Sequence, residues 1–262
     1  MRTGIFRSKK DLDSWTARAI AEVIKEKPQA VFTFATGGTP EGAYEELVRL
    51  ATAEGLDFSR ATAFHLDEYV GLRTDHEQSY QRYLKEKLFN HLQFGSVHFL
   101  DGCASDLERE CRRYDRMLLA KGVDLLVAGI GGNGHLAFNE PPADPDGTTH
   151  VQDLSEATRV ANARFFGGNI DLVPRQAITQ GLKNILDARR VLLLATDAKK
   201  AEAVRLAVEG PVTGLCPASV LQRHPDAIFL LDEAAASLLQ GKNMNAELVD
   251  LPMPLDTVGA AS

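Results

Sequence analysis

The sequence predicts an α/β fold, a parallel sheet flanked by helices, and three observations predict it. Short, almost wholly apolar runs recur along the chain, as strands buried on both faces of a parallel sheet require. Segments with helical spacing follow most of them, and alternation of strand and helix produces parallel strands. Glycine-rich or acidic turns follow several of the runs, at the carboxyl strand ends where open α/β sheets bind ligands.

The elements follow in order. From Ser8 to Lys27 the residues Leu12, Trp15, Ala19, Ile20, Val23 and Ile24 repeat at helical spacing, with Ser8 as cap and Pro28 as stop. Ala30 to Ala35 reads as a buried strand; a glycine turn leads to a helix that buries Ala43, Tyr44, Leu47, Val48 and Ala51. Thr62 to Leu66 precedes a helix near Ser79 to Leu92. Val97 to Leu100 precedes one opened by Ser105, with Glu108 in capping-box spacing. Asp124 to Ile130, Val191 to Thr196 and Ala227 to Leu231 bring the count to roughly six sheet strands. Between Pro141 and Gly147 three prolines remove donors and fix φ, so this stretch is a loop. Ser155 to Phe166 is helical and Gly167-Gly168-Asn169 a hinge; the region at about 150–172 reads equally as a lid over the sheet edge or as an ordinary connection. The tail from Pro252 to Ser262 has no periodic apolar face and is expected to fray. One domain over 1–262 is expected.

Composition excludes several functions. A net charge of −7 supplies no basic field for nucleic acid. Cys103, Cys111 and Cys216 have no paired spacing, which argues against a disulfide framework or structural zinc and fits a reducing cytosol. No stretch is apolar for long enough to span a bilayer, and Met1 to Phe6 lacks a signal core, so a cytoplasmic protein is expected.

Five segments are candidates for chemistry. Gly129 to Asn139, closed by Glu140-Pro141, joins glycine, imidazole and carboxylate just beyond a strand-like run; it reads equally as a plain turn with a surface histidine. Thr36-Gly37-Gly38-Thr39-Pro40 lies between strand and helix, where backbone N–H groups hold anions such as phosphate, although as a plain turn it is unremarkable. Asp67 and Glu68 fall where another strand ends. Alternation aims them in opposite directions, so only one faces a site, and periodicity does not say which. A solvated turn is the commoner meaning of such a pair. Arg164, among apolar and aromatic neighbours, and Lys199 and Lys200 are phosphate partners or else solvated cations. His135 and Glu140 have no second histidine at ligand spacing, so no metal is expected.

Together, Ala35 to Pro40, Leu66 to Leu72, Gly129 to Pro141 and Val160 to Phe166 resemble the glucosamine-6-phosphate deaminase family, in order and over nearly the whole chain. Pro174 to Gly181 and Ala218 to Pro225 are similar to family segments as well. The resemblance implies a modified doubly wound, Rossmann-like sheet. It implies conversion of glucosamine 6-phosphate and water to fructose 6-phosphate and ammonia without a cofactor, as a hydrolase acting on a C–N bond. By position, His135 would open the pyranose ring, supported by Glu140 and Asn133, and Asp67 rather than Glu68 would move the proton from C2 to C1. Thr36, Gly37, Gly38, Thr39, Arg164 and Lys200 would hold the phosphate. Asn133 stands where many members carry aspartate, so an altered pH profile is expected. Asp144 and Asp146 lie where the allosteric branch has basic residues, which argues against effector activation and its hexamer, and for a monomer or small homo-oligomer. The alternatives are a 6-phosphogluconolactonase-like hydrolase, which lacks the Phe138-Asn139-Glu140-Pro141 ending, and a non-catalytic sugar-phosphate sensor.

Overall fold

A computed structural model describes residues 1–241. The expected fraying of Pro252 to Ser262 lies outside the described residues. Seven parallel strands form the central sheet: β1 (Arg2–Phe6), β2 (Val31–Phe34), β3 (Thr62–His65), β5 (Ser96–His98), β6 (Leu125–Gly129), β9 (Arg190–Ala195) and β10 (Ala227–Asp232). Their order is β1-β10-β9-β6-β2-β3-β5. Six are the expected runs. The seventh, β1, is a mixed polar and apolar edge strand beside β10 that carries no continuous apolar signal.

Period-two alternation inside the apolar runs divides the core between two faces. Phe32, Phe34, Leu125, Val127, Leu192, Leu194, Ile228 and Leu230 pack on one side, under α1 (Lys9–Glu26), α2 (Glu41–Glu54) and α3 (Tyr80–Leu84). Leu126, Ala128, Val191, Leu193, Phe229 and Leu231 pack on the other, under α4 (Leu107–Lys121), α6 (Leu182–Leu186) and α7 (Ala201–Glu209). Phe34 meets Tyr44, Phe89 and Phe94 edge to face. Truncating a ring so enclosed typically costs about 3–5 kcal/mol.

Local chemistry explains the helix ends. Ser8 accepts the Asp11 N–H at 3.2 Å and opens α1 as expected. The expected Ser105 cap is corrected: Asp106 accepts the Arg109 N–H at 2.9 Å, one residue later, because its carboxylate is an equally good cap and Glu108 then falls inside the first turn. The helix expected near Ser79 to Leu92 is α3 followed by a π turn, Lys85–Phe89.

A second, antiparallel sheet of order β4-β8-β7 was not visible as a pattern. Its strands β4 (Asp67–Tyr69), β7 (His150–Asp153) and β8 (Gln176–Thr179) are short and partly polar. They lie beside α5 (Glu156–Asn162), and Leu154, Ala163 and Phe166 pack with Tyr69, Phe138 and Ala177 in a third apolar cluster. Among the described residues no helix is long and apolar enough to cross a membrane.

Candidate active site

The strand order assembles the site. β9, β6, β2 and β3 are consecutive neighbours in the sheet, and all four run in the same direction. Their carboxyl ends lead, respectively, to Lys200, His135, the Thr36–Thr39 loop and Asp67. From β2 the chain continues to β3 on one side, and the sheet beyond β6 continues to β9 on the other. That reversal is the switch point at which open α/β sheets bind ligands.

The β3–β4 corner separates the two acidic residues. Glu68 turns inward, where its carboxylate accepts the N–H groups of Tyr69, Tyr80 and Gln81 and the hydroxyl of Ser79 at 2.8–3.0 Å. It anchors the start of α3 and has no lone pair to spare. Asp67, 7% exposed, accepts no hydrogen bond from any described residue. Burial, with the Glu68 charge beside it, pushes its carboxyl up to about 8. Asp67 is therefore the open, basic carboxylate of the pair.

The turn after β6 carries the imidazole. Gly131 N–H donates to the His135 carbonyl at 2.9 Å and Gly134 N–H to that of Gly131 at 3.0 Å, a closure that lays the ring over Gly131. A Cβ at 131 would collide with the ring, so only glycine fits. Asn133 accepts the His135 backbone N–H at 3.2 Å and donates its amide to Glu140 Oε2 at 2.9 Å. His135 Nδ1 faces that same oxygen at 3.9 Å, too far for a hydrogen bond. Burial lowers the affinity of His135 for a proton; the Lys200 charge acts in the same direction and Glu140 opposes both. The ring is held neutral.

One short segment ties the corner to the turn. Gln180 donates its backbone N–H to Leu66 O and its amide to His65 O, both at 2.8 Å. Its own carbonyl accepts from Asn139 Nδ2 at 2.9 Å, and Thr179 Oγ1 accepts the Phe138 N–H at 3.2 Å. Asn139 is thus a structural tie, and Thr179 and Gln180 link the Asp67 corner to the His135 turn without signalling as a motif. Only the family-like stretch Pro174 to Gly181 pointed there.

The basic groups converge as well. Burial draws the Lys200 ammonium below the usual lysine range, and the Arg164 guanidinium adds to that. Two cations that feel each other in this way are candidates to share an anion. In the Thr36–Thr39 loop, Gly37 adopts a φ of +100° and its carbonyl accepts the Tyr83 hydroxyl at 2.7 Å. Nothing lies within 4 Å of the Cβ positions of Gly37 and Gly38, so this face is open. Lys199 is exposed, and its N–H bonds Asp197. Among the described residues no cluster of three or more His, Cys, Asp or Glu could hold a metal ion.

A family model described as glucosamine-6-phosphate isomerases and 6-phosphogluconolactonase matches residues 8–229. The chain belongs to the glucosamine-6-phosphate isomerase/6-phosphogluconolactonase family. Within this family, the glucosamine-6-phosphate deaminase of Rhodopirellula baltica is 49% identical over 235 residues, covering 87% of this chain and 93% of the relative. A solved structure described as a monomeric glucosamine-6-phosphate deaminase superposes with a TM-score of 0.88 at 44% identity, covering 91% and 100% of the two chains. The 6-phosphogluconolactonase of Trypanosoma brucei superposes at 0.74 with 20% identity, covering 91% and 98%, and shares the family fold.

Proposed function

We propose that the chain converts glucosamine 6-phosphate and water to fructose 6-phosphate and ammonia. The reading rests on one observation above the rest: the unpartnered, strongly basic Asp67 stands on the same sheet edge as the neutral His135 and the Arg164–Lys200 pair. Similarity to named deaminases supports it.

Arg164, Lys200 and the Thr36–Thr39 loop hold the phosphate, and that non-reacting end places C1 and C2 for reaction. His135, neutral because of burial, takes the proton of the C1 hydroxyl and returns one to the ring oxygen, opening the pyranose to the aldehyde. Nδ1 is turned to Glu140, which leaves Nε2 to meet the sugar. Asp67 ionises readily once the C2 ammonium of the substrate lies beside it. It then removes the C2 proton to give an enolamine and returns a proton to C1. The product is the C2 imine. Water adds at C2, its oxygen becoming the ketone oxygen, and ammonia leaves with the C–N bond. The reaction is an aldose–ketose isomerisation completed by C–N hydrolysis, and it draws on no redox cofactor. The segment at 150–172 serves as a lid on a single catalytic domain, and we expect a cytoplasmic monomer.

Ammonia and fructose 6-phosphate are to be assayed with glucosamine 6-phosphate, galactosamine 6-phosphate and 6-phosphogluconolactone. Stoichiometric release of both products from the first is expected. Binding with no turnover would return the chain to the sensor class, and turnover of the lactone alone would make it a lactonase.

A further inference from the structure

The start of α5 reaches into the catalytic turn. Ser155 caps this helix, its oxygen accepting the Thr158 N–H at 3.1 Å. The same hydroxyl lies 3.2 Å from Glu140 Oε1 and 3.1 Å from Thr158 Oγ1. A hydroxyl carries one proton, and a carboxylate is a stronger acceptor than a second hydroxyl. The proton therefore goes to Glu140, and Thr158 is free to donate back.

Glu140 is thereby held from two sides. Asn133, from the turn itself, donates to Oε2, the oxygen that faces His135. Ser155, from a different element, donates to Oε1. Capping a helix requires only acceptance of an N–H, so the bond to Glu140 is not explained by the cap. The charged groups that act on His135 are Glu140 and Lys200, and Lys200 in turn feels Arg164 and Asp197. Of these, Glu140 is the one that α5 touches through Ser155.

We propose that Ser155 is a positioning residue for His135: it fixes the Glu140 carboxylate from the start of α5, so the charge facing the imidazole depends on where that segment sits. Its kinetic consequence rests on the deaminase reading; the bond itself does not. A carboxylate that loses a donor keeps its charge less dispersed and attracts an imidazolium more strongly.

Three variants separate this role from capping. Ser155→Thr keeps acceptor and donor, Ser155→Asp keeps the cap but sets a second carboxylate against Glu140, and Ser155→Ala loses both. The direct readout is the NMR titration of His135 without substrate, its resonance assigned by loss in His135→Gln. We expect Ser155→Ala to raise the midpoint by about half a pH unit and Ser155→Asp by about one, in line with ordinary single-charge effects. Ser155→Thr should titrate as wild type. Turnover of glucosamine 6-phosphate should fall in Ser155→Ala and Ser155→Asp and hold in Ser155→Thr, with KM changing less than kcat. An unmoved midpoint in both Ser155→Ala and Ser155→Asp, or full restoration by Ser155→Asp of what Ser155→Ala loses, would reduce Ser155 to a helix cap. Absence of ammonia release by the wild type would overturn the deaminase reading and leave the titration result standing.

Discussion

At the β3–β4 corner the carboxylate proposed as the base is left without partners, whereas in the turn after β6 the groups around the imidazole proposed to open the ring are tied to one another. Glu68 absorbs four donors at the corner and Asp67 none. In the turn, Asn133 bonds both Glu140 and the His135 backbone, and Ser155 closes the far side of Glu140. The two designs answer different demands. A base that takes a proton from carbon needs a destabilised anion, which burial without hydrogen bonds provides. An imidazole that shuttles protons needs a fixed ring and a neutral resting state, which a dense frame provides.

Asp67→Asn breaks the comparison most severely. Turnover should fall by about 10²–10⁴-fold, the usual contribution of a positioned base, while binding of a phosphorylated sugar persists. The same change should stabilise the fold. The carboxyl of Asp67 sits at about 8 in the folded chain against the ordinary aspartate value of 3.8, so between these the folded state retains a proton that the unfolded state has released. Stability therefore falls as pH rises from about 4 to about 8, and Asn escapes that loss. Urea unfolding at pH 5 and pH 8 should show the variant's advantage growing with pH, to a few kcal/mol at about 1.36 per pH unit. Equal stability at both values would mean that Asp67 is solvated.

Lys200→Met tests the proposed anion site beside the His135 turn. Loss of one desolvated charge partner should raise KM for glucosamine 6-phosphate by about 10–100-fold, the range of one charged hydrogen bond at ~1.5–3 kcal/mol. Arg164→Gln should act alike and less than additively, because the two cations oppose each other when no anion is bound. An unchanged KM in both variants would place the phosphate elsewhere.

Gly131→Ala challenges the frame of the turn. The added methyl group would displace the His135 ring while leaving the sheet intact, and a displacement of about 1 Å is worth up to about 10²-fold in rate. The expected signature is a lower kcat, a thermal midpoint within a few degrees of wild type, and a shifted His135 titration. Unaltered kcat would show that the ring need not lie over Gly131.

The sequence carried most of the sheet and part of the site, and the division has a physical cause. β2, β3, β6, β9 and β10 are buried on both faces and so declare themselves as apolar runs. β1 lies at an edge, and β4, β7 and β8 pair through backbone groups that leave no periodic signal. The glycines and the His135–Glu140 spacing were legible because a tight turn restricts residue type. The choice between Asp67 and Glu68 came from the family resemblance and not from periodicity, because it depends on which side Ser79, Tyr80 and Gln81 approach from. Ser155 read only as a helix start, since its bond to Glu140 joins residues fifteen apart through the packing of a separate sheet.

Glu68→Gln is the finest probe of the contrast, because it alters the neighbour and leaves the reactive group in place. An amide keeps one acceptor oxygen and replaces the other with a donor, so two of the four groups now bonded to Glu68 lose their acceptor. Stability should fall by about 2–4 kcal/mol, since a buried donor left unpaired costs about 1–3. Turnover at the pH optimum should stay within a few-fold of wild type. Removing the charge beside Asp67 takes away the second cause of its raised carboxyl while burial, the first, remains. The acid limb of kcat/KM should accordingly move to lower pH without disappearing. If Glu68→Gln abolished turnover as thoroughly as Asp67→Asn, the two carboxylates would be acting as one unit, and the assignment of a supporting residue and a working one would have to be given up.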